Sequence, residues 1–95
     1  PEGVAADSLG ASSAGGMMFP IAQAYVDHVA LVSDAAITAT QCWCWRNLRL
    51  ASEPGGVAAL AALLHGAYKP EAGERVGVVM CGANVELSKL DQLLK

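Results

Sequence analysis

Charge is scarce in this chain. Only 16% of the residues are Asp, Glu, Lys or Arg, and only six are basic. The basic residues are scattered, Arg46 and Arg49 alone lying close together, and the net charge is −3. No basic stripe is present to neutralise phosphates, which excludes a nucleic-acid-binding module. Cysteine is scarce too. There are three, an odd number, and Cys42 and Cys44 are too close in sequence to bridge easily. A disulfide framework is therefore excluded, and a reducing cytoplasm is the expected compartment. A signal peptide is missing. The uncharged stretch 8–26 carries Ser, Gly, Gln and Pro, so it reads as loop and helix and not as a membrane span.

What the chain does have is apolar surface. Hydrophobic residues make up 54% before its ten glycines are counted, whereas an average domain reaches only ~45–50% with glycine included. A 95-residue chain has a large surface for its volume and should be more polar than average. This excess, in a chain that opens on Pro1, is what one part of a larger fold would carry.

Periodicity divides the chain into short units. Residues 1–16 are rich in Ala, Ser and Gly, with little pattern. The spacing predicts a helix over 17–26, with Pro20 in its first turn and Phe19, Ile21, Ala24 and Tyr25 facing inward. Val29-Ala30-Leu31-Val32 reads as a short buried strand, with His28 as a flanking polar residue. Ser33 or Asp34 caps a second helix reaching about Arg49, with Ile37, Cys44 and Leu48 on one face. Cys42 and Cys44 lie ~200° apart on such a helix and cannot hold one metal together. Trp43 and Trp45 are likewise on opposite sides. All four are expected to be structural. Pro54 opens an alanine-rich helix over 55–65 that is apolar almost all round, hence buried on several sides, with Gly66 just past its end. After a loop over 68–74, Val76, Val78, Val79 and Met80 form a second buried strand, followed by a turn at Gly82. A last amphipathic helix over 88–94 aligns Leu87, Leu90 and Leu94. Helix, strand, helix, helix, strand, helix is an α/β order with a largely parallel sheet. Two strands do not make a stable sheet, so further strands are expected from outside this stretch.

Cys81 sits at the carboxyl end of the second strand, where open α/β sheets bind ligands. Upstream, Glu53-Pro54-Gly55-Gly56-Val57-Ala58-Ala59 opens the alanine-rich helix, and Cys81-Gly82-Ala83-Asn84 forms the turn. The pair resembles the motifs "EP-small-Gly-x-Ala-Ala" and "hydrophobic strand-[Ser/Cys]-Gly-Gly-Asn" of the pyridoxal-phosphate-dependent serine/threonine dehydratases, a family that includes serine racemase. Glu2-Gly3-Val4-Ala5 resembles that family's "adGvA" segment. The resemblance implies that residues 1–95 are the carboxyl-terminal part of the larger, cofactor-binding domain of a fold-type II enzyme.

It also implies roles. Cys81 would face the pyridine nitrogen of the cofactor, where a neutral thiol cannot keep the ring protonated as a carboxylate would. The ring is then a weaker electron sink, which favours prompt loss of a β-hydroxyl. Gly82 and Ala83 would leave room for the ring, although the family motif usually has a second Gly where this chain has Ala83. Asn84 would hydrogen-bond its own backbone to fix the turn, Gly3 would lie beside the cofactor, and Glu53 would stand at its edge. For Glu53 the residues equally allow a charge stabilised at a helix N-terminus.

The family's Schiff-base lysine, phosphate-cradling loop and divalent-metal ligands lie upstream of the resembling stretch. Lys69, Lys89 and Lys95 match none of them, so no catalytic residue and no metal ligand is expected here, and the chain alone should be inert. The full protein would convert L-threonine or L-serine to a 2-oxo acid and ammonia. It would act with the rest of its own chain, as a homo-oligomer, without membrane or nucleic acid. A racemase, a hydroxyaspartate dehydratase and a non-catalytic α/β interaction module remain alternatives.

Overall fold

A computed structural model describes Gly3 and residues 15–95. Among the described residues four α-helices follow one another: α1 (Met18–Tyr25), α2 (Asp34–Leu48), α3 (Ala58–Leu64) and α4 (Leu87–Leu94). A single 3₁₀ turn, Gly55–Val57, leads into α3. The helices match the expected segments. The one departure is that the helix expected from residue 55 begins as this tighter turn, at a Gly-Gly pair of low helix propensity.

Helix α2 is the scaffold. Ser33 is extended and its hydroxyl accepts from the Ala36 N–H at 3.0 Å, satisfying one orphan donor. Asp34 adds a negative charge to the first turn. At the other end Arg49 adopts the left-handed conformation, with φ 55°. Its guanidinium donates to the carbonyls of Trp45 at 2.9 Å and Arg46 at 2.8 Å, and lies 5.9 Å from the Trp45 ring centroid. Replacing Ser33 with alanine is expected to cost about 1 kcal/mol in denaturant unfolding, the usual worth of such a cap.

Helix α2 packs on α3 and α4. The core joins Ala36, Ile37 and Cys44 of α2 to Val57 and Ala61, with Val32, Leu60 and Met80 packed against it. From α4, Leu90 is buried, and the Cys42 thiol donates to the Leu93 carbonyl at 3.5 Å. Full burial of a side chain such as Val57 contributes roughly 1.5–3 kcal/mol, so this small core is a modest source of stability.

Several sequence expectations are not met among the described residues. Among the described residues no strand forms: 29–32 and 76–80 run without a ladder. A strand exists only through pairing, and nothing within the described residues pairs with them. The inward face expected of α1 is uncovered, with Phe19, Ile21, Ala24 and Tyr25 all exposed. Leu48 and Leu87 are exposed although they share faces with buried residues, and α3 buries fully only Ala61. Leu31 and Val79 are 88% and 79% exposed. Exposed apolar residues thus lie on α1 and on both apolar runs.

In the loop after α3 the Tyr68 hydroxyl donates to the Glu74 carboxylate, which also accepts from the Glu71 N–H at 3.0 Å. The hydrogen bond to Glu74 raises the Tyr68 phenol above its ordinary range, and the same bond lowers the Glu74 carboxyl. The contact therefore contributes above the ordinary carboxylate range and is lost as pH falls through the lowered Glu74 value. At the alkaline end it is present below the ordinary phenol range and is lost as pH rises through the raised Tyr68 value. In a Tyr25→Phe background, where one tyrosine remains, Glu74→Gln is expected to bring tyrosinate absorbance on at lower pH.

Candidate functional site

The two motif segments, distant in sequence, lie side by side. The Glu53 N–H donates to the Gly82 carbonyl at 2.6 Å, and the Cys81 N–H donates to the Gly56 carbonyl at 3.3 Å. Farther along, the Val85 N–H donates to the Ala51 carbonyl at 3.3 Å. The segments 51–56 and 81–85 thus run in opposite directions, joined by backbone bonds.

Glycine makes this approach possible. A Cβ on Gly56 would overlap the Cys81 carbonyl oxygen and lie 2.6 Å from its carbonyl carbon. Gly82 has φ +64°, a conformation that side chains disfavour. A Cβ there would meet the Glu53 side chain at 3.4 Å. Glu53 is half-buried, the Cys81 thiol is free and exposed, and small Ala83 follows Gly82.

Of the residues singled out from sequence, Glu53, Cys81 and Gly82 are brought together. Gly3, with φ +104°, lies at the start of α2. A Cβ on it would lie 2.8 Å from an Asp34 carboxylate oxygen. Asn84 is exposed and makes no side-chain hydrogen bond among the described residues, so the turn is held by the backbone pairing and not by an Asn84 contact. Glu2, Val4 and Ala5, of the first resembling segment, lie outside the described residues.

Beneath the pairing lies a buried polar layer that sequence reasoning missed. The Gln41 amide N–H donates to the Ser52 carbonyl at 2.9 Å, and the Thr40 hydroxyl donates to the Ala36 carbonyl at 2.8 Å. Burial pushes the Cys44 thiol up, against a smaller opposing pull from its hydrogen bond with Ser52. A polar residue next to apolar positions on α2 was the available signal, but its partner on the 51–56 segment is visible only in three dimensions.

Other candidates lie elsewhere. A groove of about 610 Å³ runs between the first half of α2 and the end of α3, lined by residues such as Leu31, Ala35 and His65. None of Glu53, Gly56, Cys81 or Gly82 lines it. Lys69, Lys89 and Lys95 are exposed, and Lys95 pairs with Asp91 at 3.1 Å. Among the described residues no three His, Cys, Asp or Glu side chains converge as a metal site. No described helix is long and apolar enough to cross a membrane.

Comparison with known proteins gives this arrangement its context. Residues 2–82 match the family described as "Pyridoxal-phosphate dependent enzyme". The chain is 37% identical to the phenylserine dehydratase of Ralstonia pickettii over 85% of its own length and 25% of the relative's. It is 33% identical to the beta-hydroxyaspartate dehydratase of Paracoccus denitrificans over 92% of its length and 30% of that protein. It is 31% identical to the serine racemase of Dictyostelium discoideum over 87% of its length and 26% of that protein. The chain therefore spans about a quarter to a third of the relatives it matches. No solved structure matches it. The family match covers the segment 51–56 and reaches Gly82 of the second segment, and with it the chain belongs to the pyridoxal-phosphate-dependent enzymes.

Proposed function

We propose that the chain is the carboxyl-terminal part of the cofactor-binding domain of an ammonia-lyase that dehydrates a β-hydroxy amino acid, with L-threonine or L-serine as substrate. The carrying observation is the backbone pairing that sets Cys81 and Gly82 against Glu53 and Gly56. The relatives' names supply the reaction class, since phenylserine and hydroxyaspartate are each acted on by a dehydratase of this similarity. A hydroxyaspartate substrate and racemisation are second readings, favoured by the hydroxyaspartate lyases and serine racemases among the relatives.

The residues fit one edge of a flat nitrogen heterocycle. Cys81 offers an exposed neutral thiol, and Gly82 and Ala83 keep the adjoining backbone free of bulk. Bound pyridoxal phosphate supplies the electron sink for charge developing at the substrate's α-carbon. Cys81 would hold the ring nitrogen through a neutral contact, and Glu53 would bound the same edge with its carboxylate. Gly3, at the start of α2, and the exposed Asn84 are the further cofactor-side positions that the family resemblance implies. The segments 29–32 and 76–80 enter a mostly parallel sheet with strands from the rest of the enzyme, which also covers α1. The lysine that carries the cofactor belongs to that remainder, the enzyme works as a homo-oligomer in the cytoplasm, and this chain alone is inactive.

The test uses the full-length protein. Iodoacetamide is expected to label Cys81 ahead of the buried Cys42 and Cys44, and saturating pyridoxal phosphate is expected to protect Cys81. The loaded protein should release ammonia and a 2-oxo acid from L-threonine or L-serine. Release only from hydroxyaspartate, or inversion of serine without release, selects a second reading. A loaded protein inactive on all three, with Cys81 unprotected, would leave the non-catalytic interaction module.

A further inference from the structure

We propose that Gln41 is a positioning residue for the cofactor edge, acting through the backbone of Ser52 and Glu53. The inference rests on the functional reading above. Gln41 is 1% exposed, and its amide N–H donates to the Ser52 carbonyl at 2.9 Å. Ser52 immediately precedes Glu53, whose own N–H holds the Gly82 carbonyl. One hydrogen bond from helix α2 therefore ties down the residue next to the turn on which Glu53 and Gly56 meet Cys81 and Gly82.

A second observation separates positioning from simple stability. The other amide atom of Gln41, Oε1, is buried with no hydrogen-bond partner among the described residues. A buried unsatisfied acceptor is unfavourable, and an apolar side chain of similar length would avoid it. Thr40 beside it shows the contrast, its hydroxyl satisfied within the helix by the Ala36 carbonyl. Gln41 thus delivers one directed bond to the segment that builds the site, while its second amide atom has no partner among the described residues. Departures of this kind from packing economy concentrate where geometry matters for function.

The experiment takes the full-length protein with Gln41→Met, which keeps length and removes the donor, and Gln41→Glu, which can donate only when protonated. Amide hydrogen exchange is followed in the cofactor-free protein, and pyridoxal phosphate is titrated by absorbance and fluorescence. In Gln41→Met, exchange at Glu53 and Cys81 should accelerate about threefold to tenfold, the range of one net hydrogen bond. Exchange within α2 should stay as in the parent, and cofactor affinity should fall by a similar factor with an altered absorption band. In Gln41→Glu, burial raises the introduced carboxyl's pKa, so protection and affinity relative to the parent should recover as pH falls. Uniform acceleration across α2 as well would reduce Gln41 to a stabilising residue and overturn the proposal, as would unchanged exchange at Glu53 and Cys81. A parent that binds the cofactor beside an equally tight Gln41→Met variant overturns this inference alone. A parent that takes up no pyridoxal phosphate overturns the functional reading and this role with it.

Discussion

Gly56→Ala is expected to destabilise the protein by about 3 kcal/mol, at the upper end of the cost of overpacking a tight contact. It should also weaken cofactor binding by more than the Gly16→Ala control does. The added methyl would overlap the Cys81 carbonyl oxygen, with the carbonyl carbon only 2.6 Å away. Those atoms are backbone, so no side chain can swing aside. Relief must come from separating the segments 51–56 and 81–85, which breaks the hydrogen bond from the Cys81 N–H to the Gly56 carbonyl. Gly16→Ala is the control. A Cβ at Gly16 meets nothing within 4 Å, and the change should stay within about 0.5 kcal/mol, as surface substitutions do. Denaturant unfolding of the full-length protein, with and without pyridoxal phosphate, checks both. Equal stability of the two variants would mean that the close approach at Gly56 does not hold the site together.

Cys81→Asp in the full-length enzyme is expected to lower cofactor affinity at least about tenfold, equivalent to ~1.4 kcal/mol, while Cys81→Ser stays near the parent. Serine offers the same neutral hydrogen-bonding character at the ring nitrogen. The introduced carboxylate differs in two ways. It favours a protonated ring, which delocalises charge at the α-carbon longer and shifts product toward racemisation or transamination. It also arrives beside Glu53, whose carboxylate oxygen lies 3.5 Å from the position of a Cβ on Gly82. An added carboxylate one residue from the Glu53 contact opposes ionisation of both groups, so the loss should be larger at higher pH. Glu53→Gln in the same background should restore part of the affinity. Cys81→Ala should mainly loosen cofactor orientation. Spectral titration and chiral analysis of products read these effects. Parent-like affinity, rate and product partition in Cys81→Asp would return Cys81 to the status of an ordinary cysteine.

How far these features were legible differs from residue to residue. The caps and turns were local and could be read directly. Ser33 before the apolar period of α2, and Gly66 after α3 with φ +81°, are set by neighbours within one helical turn. The motif residues Glu53, Cys81 and Gly82 were recognisable by type and order, but not the reason for Gly56. That reason is a carbonyl from another segment occupying the space of its missing Cβ. Gln41 was invisible as a site-building residue, since its partner is the Ser52 backbone, and a backbone carbonyl leaves no signature in sequence.

The amino-acid sequence by itself determined where the four described helices lie, the family, and the excess of apolar surface, because helix period, capping and composition are properties of neighbouring residues. Tertiary structure decided what those properties could not reach. It brought segments 51–56 and 81–85 together through backbone groups common to every residue. It buried Ile37 and Cys44 but not Leu48 of the same face. It also left 29–32 and 76–80 without a ladder, since a strand is a relation between two segments and not an attribute of one.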